Sequence, residues 1–300
     1  MSLLRPAKYF LTISTTLVLV SVVLLFVPGP VLSIDFTGGT LVEVSTPEEI
    51  TKDALSAVLG TFPGETPLGN VAVSRTKDGS YLMRMRDLSN EEHLALFGHL
   101  ERELGNITER QFTTIGPTVG ASLKQRSIWA LLIATIAIIL YLAMVFRRVP
   151  GRLSPWSFGI TAILALLHDT LLTLGIFTIL SHTTSFQLDT LFVTALLSIM
   201  GYSVNDTIVI FDRIRSNLYE GGNRGENFAV LADRSLKETV SRTLNTGTGA
   251  LIMLFVLFFF AAESIRWFIL ALIIGTVIGT YSSFFVATPI LVYWRNRTRR

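Results

Sequence analysis

The chain has 300 residues, of which 50% are hydrophobic and 16% charged, with a formal net charge of +3 and no cysteine. That balance is too apolar for a soluble domain of this length. The absence of cysteine excludes disulfides and thiolate metal sites.

The apolar residues fall into six runs long enough to cross a hydrocarbon core: Tyr9 to Val27, Ser127 to Phe146, Trp156 to Leu180, Leu188 to Phe211, Thr243 to Ala262 and Trp267 to Trp294. The fold class expected is an α-helical membrane protein with six transmembrane helices. A small α+β domain of ferredoxin-like βαββαβ order is inserted between helices 1 and 2. The boundaries follow: 1–27 for the cytoplasmic N-terminus and helix 1, 28–126 for the inserted domain, 127–294 for helices 2 to 6 with a cytoplasmic loop at 212–241, and 295–300 for a basic tail.

The first run follows Arg5 and Lys8, as a signal peptide would. Phe26-Val27-Pro28-Gly29-Pro30 nevertheless offers no small-x-small cleavage site, so a retained anchor is expected. Next, Val31 to Val44 is β-rich around Gly38-Gly39, and Thr46-Pro47-Glu48-Glu49 reads as the start of a helix reaching about Gly60. Val71 to Arg75 and Tyr81 to Arg86 alternate around Asp78-Gly79 as a hairpin does. Ser89-Asn90-Glu91-Glu92 caps a second helix, with Leu94, Phe97, Leu100 and Leu104 at helical spacing, before Gly105 stops it. His93 and His99 are expected on its polar side. Arg110 to Ile115 supplies the last strand.

Among the later spans, Thr194, Ser198, Gly201 and Asn205 form a small, polar stripe on the fourth, and Gly275, Gly279 and Ser283 a small-residue stripe on the sixth. Both suit close helix packing. Phe228, Leu231, Leu236 and Val240 are spaced as in a short amphipathic surface helix within 212–241, with a solvated connector as the alternative.

Charge placement sets the topology. With the N-terminus in the cytoplasm, Arg5, Lys8, Arg147, Arg148, Arg152, Arg213, Arg215, Arg224, Arg234, Lys237, Arg242, Arg295, Arg297, Arg299 and Arg300 share that side. The two short opposite loops hold only Arg266. Both termini are thus expected in the cytoplasm and residues 28–126 outside it. Because the basic balance is a topology signal, no nucleic-acid partner is expected.

No phosphate-cradling motif exists: Gly221-Gly222-Asn223-Arg224-Gly225 lacks the strand, lysine and hydroxyl such a loop needs. His93, His99, His168 and His182 show no metal-ligand spacing. The chain is not expected to be an enzyme, and no catalytic residue, metal or cofactor is expected.

What remains informative is charge inside the spans, where an ionisable side chain costs about 2.5 to 3.5 kcal/mol at mid-helix on insertion scales and tends to face a partner or a water path. Asp206, beside Asn205, lies near the cytoplasmic third of the fourth span. Arg242 opens the fifth span at a comparable depth, so an ion pair between them is geometrically possible. Protonating Asp206 would release Arg242, a change able to switch helix packing. The alternative is a static pair with Arg242 snorkelling to the headgroups. Asp169, with His168 beside it at the middle of the third span, suits a relay or a satisfied structural hydrogen bond.

Several segments together have a family look: Ile34-Asp35-Phe36-Thr37-Gly38-Gly39-Thr40, His168-Asp169, Gly201-Tyr202-Ser203-Val204-Asn205-Asp206-Thr207 running on to Phe211-Asp212-Arg213-Ile214-Arg215, and Ser241-Arg242-Thr243. They resemble the SecF family, the smaller subunits of bacterial SecDF protein-export complexes, in a superfamily with resistance-nodulation-division transporters. The resemblance covers nearly the whole chain. It implies a bacterial inner-membrane accessory of the Sec translocon in which proton flow moves the external domains, with Asp206 and Arg242 in the proton pathway. Implied partners are a SecD-like subunit, the SecY, SecE and SecG channel, YajC and YidC, exported preproteins and membrane lipids. Two other functions fit the same architecture: a proton-driven exporter of small molecules or lipids, and a Sec scaffold without transport.

Overall fold

The computed structural model describes the chain except residues 1–3, 5, 47–49, 65, 70, 77, 148–154, 221–225 and 299–300, and the side chains of 155, 263 and 296–298. The expected cap at Pro47-Glu48-Glu49, the glycine run at 221–225 and Arg5, Arg148, Arg152, Arg224, Arg299 and Arg300 lie outside the described residues. The backbone divides into two compact units, one of residues 1–30, 130–180 and 191–300, the other of 31–129 and 181–190.

In the second unit, helical turn α2 (Ile34–Thr37) is followed by β1 (Gly39–Ser45), α3 (Lys52–Gly60), β2 (Ala72–Arg75), β3 (Tyr81–Met85), α4 (Asn90–Leu104) and β4 (Thr108–Ile115). From β1 to β4 this is the expected βαββαβ order. The sheet runs β2-β3-β1-β4 with every neighbouring pair antiparallel, and Val42 faces Met83 on one side and Phe112 on the other. Alternation puts Val42, Val44, Tyr81, Met83 and Met85 on one face, where they pack with Leu55 and Leu59 of α3 and Leu96 and Leu100 of α4.

Three expectations in this unit need correction. The β-rich run from Val31 does not start as a strand, because the Ser33 hydroxyl caps α2 by accepting from Asp35 N at 3.1 Å, and β1 begins only at Gly39. The first long helix starts later than Thr46, since Thr51 caps it by accepting from Ala54 N at 3.2 Å. On α4 the Ser89–Glu92 capping box forms as the sequence indicates. The buried face, however, is Leu96, His99 and Leu100, with Leu94 70% exposed. His99 is therefore not on the polar side: its Nε2 lies 3.1 Å from the Val58 carbonyl and its ring packs edge-on against Phe62. His93, in contrast, reaches Glu109 Oε2 at 2.7 Å while stacking on Phe112.

Among the described residues, six helical segments are long and apolar enough to span a membrane. They are α1 (Ala7–Phe26), α5 (Pro117–Val145), α6 (Pro155–Thr183), α7 (Thr190–Tyr219), α8 (Phe228–Phe260) and a last segment made of α9 (Glu263–Ser282), a π-helical turn (Ser283–Ala287) and α10 (Thr288–Thr298). The helix entering the second span begins at Pro117, ahead of the expected residue 127, because proline suits the first helical position and no further proline follows up to Arg126.

The loop expected at 212–241 is largely helical. Between Asp212 and Tyr219 there is neither proline nor glycine, so α7 continues to Tyr219. Asn227 then caps α8 by accepting from Ala229 N at 3.0 Å, and the helix runs unbroken into the span. The amphipathic stretch is thus the first three turns of α8, not a separate surface helix. Phe228, Leu231 and Leu236 bury their side chains with Ile210, Phe211 and Ile214 of α7 and Phe146, Phe158 and Leu291. Polar contacts join the same ends: Arg213 Nε to Glu238 at 2.6 Å, and Asn217 Nδ2 to Ser235 Oγ at 2.8 Å.

Candidate functional site

Asp206 and Asp169 are the most deeply buried carboxylates of the membrane unit among the described residues. Asp206, on α7, is 2% exposed, and its Oδ2 accepts from the Thr280 hydroxyl of α9 at 3.3 Å. Asp169, on α6, is 0% exposed. It is held from three sides: Nδ1 of His168 approaches Oδ1 at 2.8 Å, and Oδ2 accepts from Ser203 of α7 and from Ser282 of α9, the latter at 2.8 Å. His168 is itself buried, stacks on Tyr281, and keeps Nε2 enclosed without a hydrogen-bond partner among the described residues.

A seam of hydroxyls on α7 and the last span lies beside the two carboxylates, in hydrogen-bonded sets that no bond between side chains joins to one another among the described residues. Ser203 binds Asp169 and lies one helical turn from Asp206. On the facing helix Thr280 binds Asp206, Ser282 binds Asp169, and Ser283 lies 2.9 Å from Thr207. Small residues create this proximity. A Cβ added at Gly275 would strike the Ile199 side chain, and one at Gly279 would come within 3.0 Å of Ser203 Cβ. On α8, a Cβ at Gly247 would meet the Tyr202 hydroxyl at 3.0 Å and Thr280 Oγ1 at 3.4 Å, so α8 also closes on this region. Hydroxyls that donate to a buried carboxylate stabilise its charge.

The other expected residues stand apart. Arg242 is exposed on α8, and among the described residues no ion pair joins it to Asp206. Asn205 is exposed. Gly201 is exposed as well, and a Cβ there would meet nothing within 4 Å among the described residues. Thr194 and Ser198 share that exposed side of α7. Thr280, Ser282, Ser203 and Gly247 were not among the candidate residues. Ser203 falls within the family-like segment around Asp206, whereas the sequence signal of Thr280, Ser282 and Gly247 is a hydroxyl or glycine within an apolar span, as given by many hydroxyls that merely bond to their own helix. Among the described residues no group of three or more histidine, aspartate or glutamate side chains could hold a metal ion.

Residues 97–297, which hold every intramembrane residue named above, match the family model described as protein export membrane protein SecD/SecF, C-terminal. Residues 23–46 match the SecD/SecF GG motif. The chain belongs to the SecF family. It is 38% identical over 296 residues to the protein translocase subunit SecF of Thermobaculum terrenum, covering 96% of this chain and 92% of that protein. Over 297 residues this SecF-family chain is also 33% identical to the protein translocase subunit SecDF of Thermus thermophilus, covering 98% of this chain and 38% of the relative. The crystal structure of SecDF from Thermus thermophilus, a translocon-associated membrane protein, superposes with a TM-score of 0.85 at 31% identity, covering 99% of this chain. The SecF-family chain spans 39% of the length of that structure.

Proposed function

We propose that this chain is a proton-coupled subunit that assists protein export through the Sec channel of the bacterial inner membrane, acting with a SecD-like partner. The observation that carries the reading is Asp206, a carboxylate buried in a spanning helix and accepting from the Thr280 hydroxyl, in a chain of a protein-export family. Asp206 takes up and releases the proton, and Arg242 answers its charge from α8. Asp169 and His168 support the seam as a relay, with Asn205 on the partner side. Moving one charge through 100 mV supplies about 2.3 kcal/mol, enough to shift a two-state equilibrium roughly fiftyfold.

The exposed stripe of Thr194, Ser198, Gly201 and Asn205 supports the partner. Polar side chains facing lipid are costly, whereas a second set of spans would cover them. The relative named SecDF joins a segment like this one to a longer chain. Both termini lie in the cytoplasm in this reading, with residues 28–126 on the opposite side.

The test is translocation into vesicles containing both subunits, with and without an imposed proton gradient. Asp206→Asn is expected to leave the complex assembled and to remove the gradient-dependent part of export. Export by Asp206→Asn that still rises with the gradient as in wild type would overturn the reading.

A further inference from the structure

The connection between α1 and β1 makes contacts far along the chain. Asp35 Oδ2 accepts from the backbone N of Thr190 at 3.0 Å and from its hydroxyl at 2.7 Å, and Thr190 is the first residue of α7. Just upstream, Leu32 forms a parallel bridge with Leu188, Ser33 N donates to the Leu188 carbonyl at 2.8 Å, and Leu188 N donates to the Val31 carbonyl at 2.9 Å. Just downstream, Gly38 and Gly39 have φ of +74° and +127°, a backbone region that side chains avoid. A Cβ on Gly38 would lie 2.9 Å from Cα of Pro117, the first residue of α5, and one on Gly39 would lie 2.6 Å from the Met85 carbonyl at the end of β3. From the other side, a Cβ on Gly120 would lie 2.8 Å from Gly38 N. Five consecutive residues thus touch the starts of two spanning helices and the middle of the sheet.

We infer that Asp35 to Gly39 is a coupling joint that fixes the first turns of α5 and α7 to the sheet, so that the folded domain and these helix ends move as one body. Asp35 is its positioning residue. The glycines are required because backbone meets backbone there, and Asp35 because the first N–H groups of a helix have no partner within the helix. Resting on the proton-coupled reading, the joint supplies its output step. Asp206 lies further along the same helix, so a displacement carried by α7 arrives at Thr190, the residue that Asp35 holds.

The natural absence of cysteine makes the test direct. Leu32→Cys with Leu188→Cys places two thiols on directly bridged residues, within disulfide reach. In vesicles holding both subunits the pair is expected to cross-link fully on oxidation, with gradient-dependent export within twofold of the reduced form. Export that stops on oxidation and returns on reduction would show that the joint opens, overturning the proposal. Asp35→Ala is expected to keep proton uptake while losing at least tenfold of gradient-dependent export, and Asp35→Asn, whose amide oxygen still accepts, to recover most of it. Export unaffected by Asp35→Ala would equally overturn it. Amide hydrogen exchange at residues 190–193 is read in parallel, and Asp35→Ala is expected to speed it at least tenfold. That readout needs no proton coupling: if wild-type export ignores the gradient, the proton-coupled reading fails, while unchanged exchange refutes the joint itself.

Discussion

Asp169 is enclosed so completely that its neighbours must supply what water would. Ser203 and Ser282 each donate to Oδ2, and hydrogen bonds to a charged group contribute about 1.5 to 3 kcal/mol apiece. Ser282→Ala should therefore lower the melting temperature of the detergent-solubilised chain clearly, whereas Ser198→Ala, on the exposed side of α7, should leave it nearly unchanged. Equal melting curves for the two variants would refute this account of the cluster. His168 and Asp169 stood out in the sequence because a charge at mid-span is rare. Ser282 did not, since its importance comes from a carboxylate 113 positions earlier in the chain. The same limit applies to Asp206: its burial was legible, but its donor, Thr280, depends on how α9 lies against α7. Arg242 is exposed on α8, and similar depth along two helices does not by itself fix which way two side chains face.

At the scale of elements, α4 was legible at its ends and misplaced on its faces. Ser89 and Glu92 announce the start in four residues, whereas the inward face depends on where α4 rests against the sheet and α3. The capping residue Glu92 also binds Arg86, with Nη2 to Oε1 at 2.5 Å, and this guanidinium holds its carboxyl at about 2, below an ordinary value of 4.5. A depressed folded-state value means a stabilising contribution that is present above about pH 4.5 and lost as the pH falls towards 2. Hydrogen exchange of α4 should accelerate across that window, and Glu92→Gln should flatten the dependence. Separately, Ser89→Ala should destabilise the helix start by about 1 kcal/mol, read as faster exchange in its first turn. The join of α7 and α8 teaches a related lesson. Polar residues at 212–241 suggested a loop, yet polarity marks where a helix leaves the membrane, not where it ends.

For the molecule as a whole, six spans and one inserted domain were legible because hydrophobic length and β periodicity are local signals. What remained hidden is which spans lie inside. The polar stripe of α7 signalled packing, and the structure leaves Gly201 and Asn205 exposed among the described residues. Replacing Gly201 with Leu should thus leave the melting temperature of the isolated chain within a degree or two but reduce co-purification with the SecD-like subunit severalfold. A drop in the chain's own stability with intact co-purification would contradict that assignment. Gly275→Leu should do the reverse and unfold the chain itself, because the added side chain meets Ile199. The π-helical turn at Ser283–Ala287 adds a condition on how relatives of this chain can vary in length. It holds one residue more than an α-helical turn needs, so it works as a phase shift of about 100° within a continuous spiral. Deleting one residue there would leave a smoother helix, yet would rotate Leu291 out of the core it fully occupies. Evolution can exchange the letters in that segment far more readily than it can change their number.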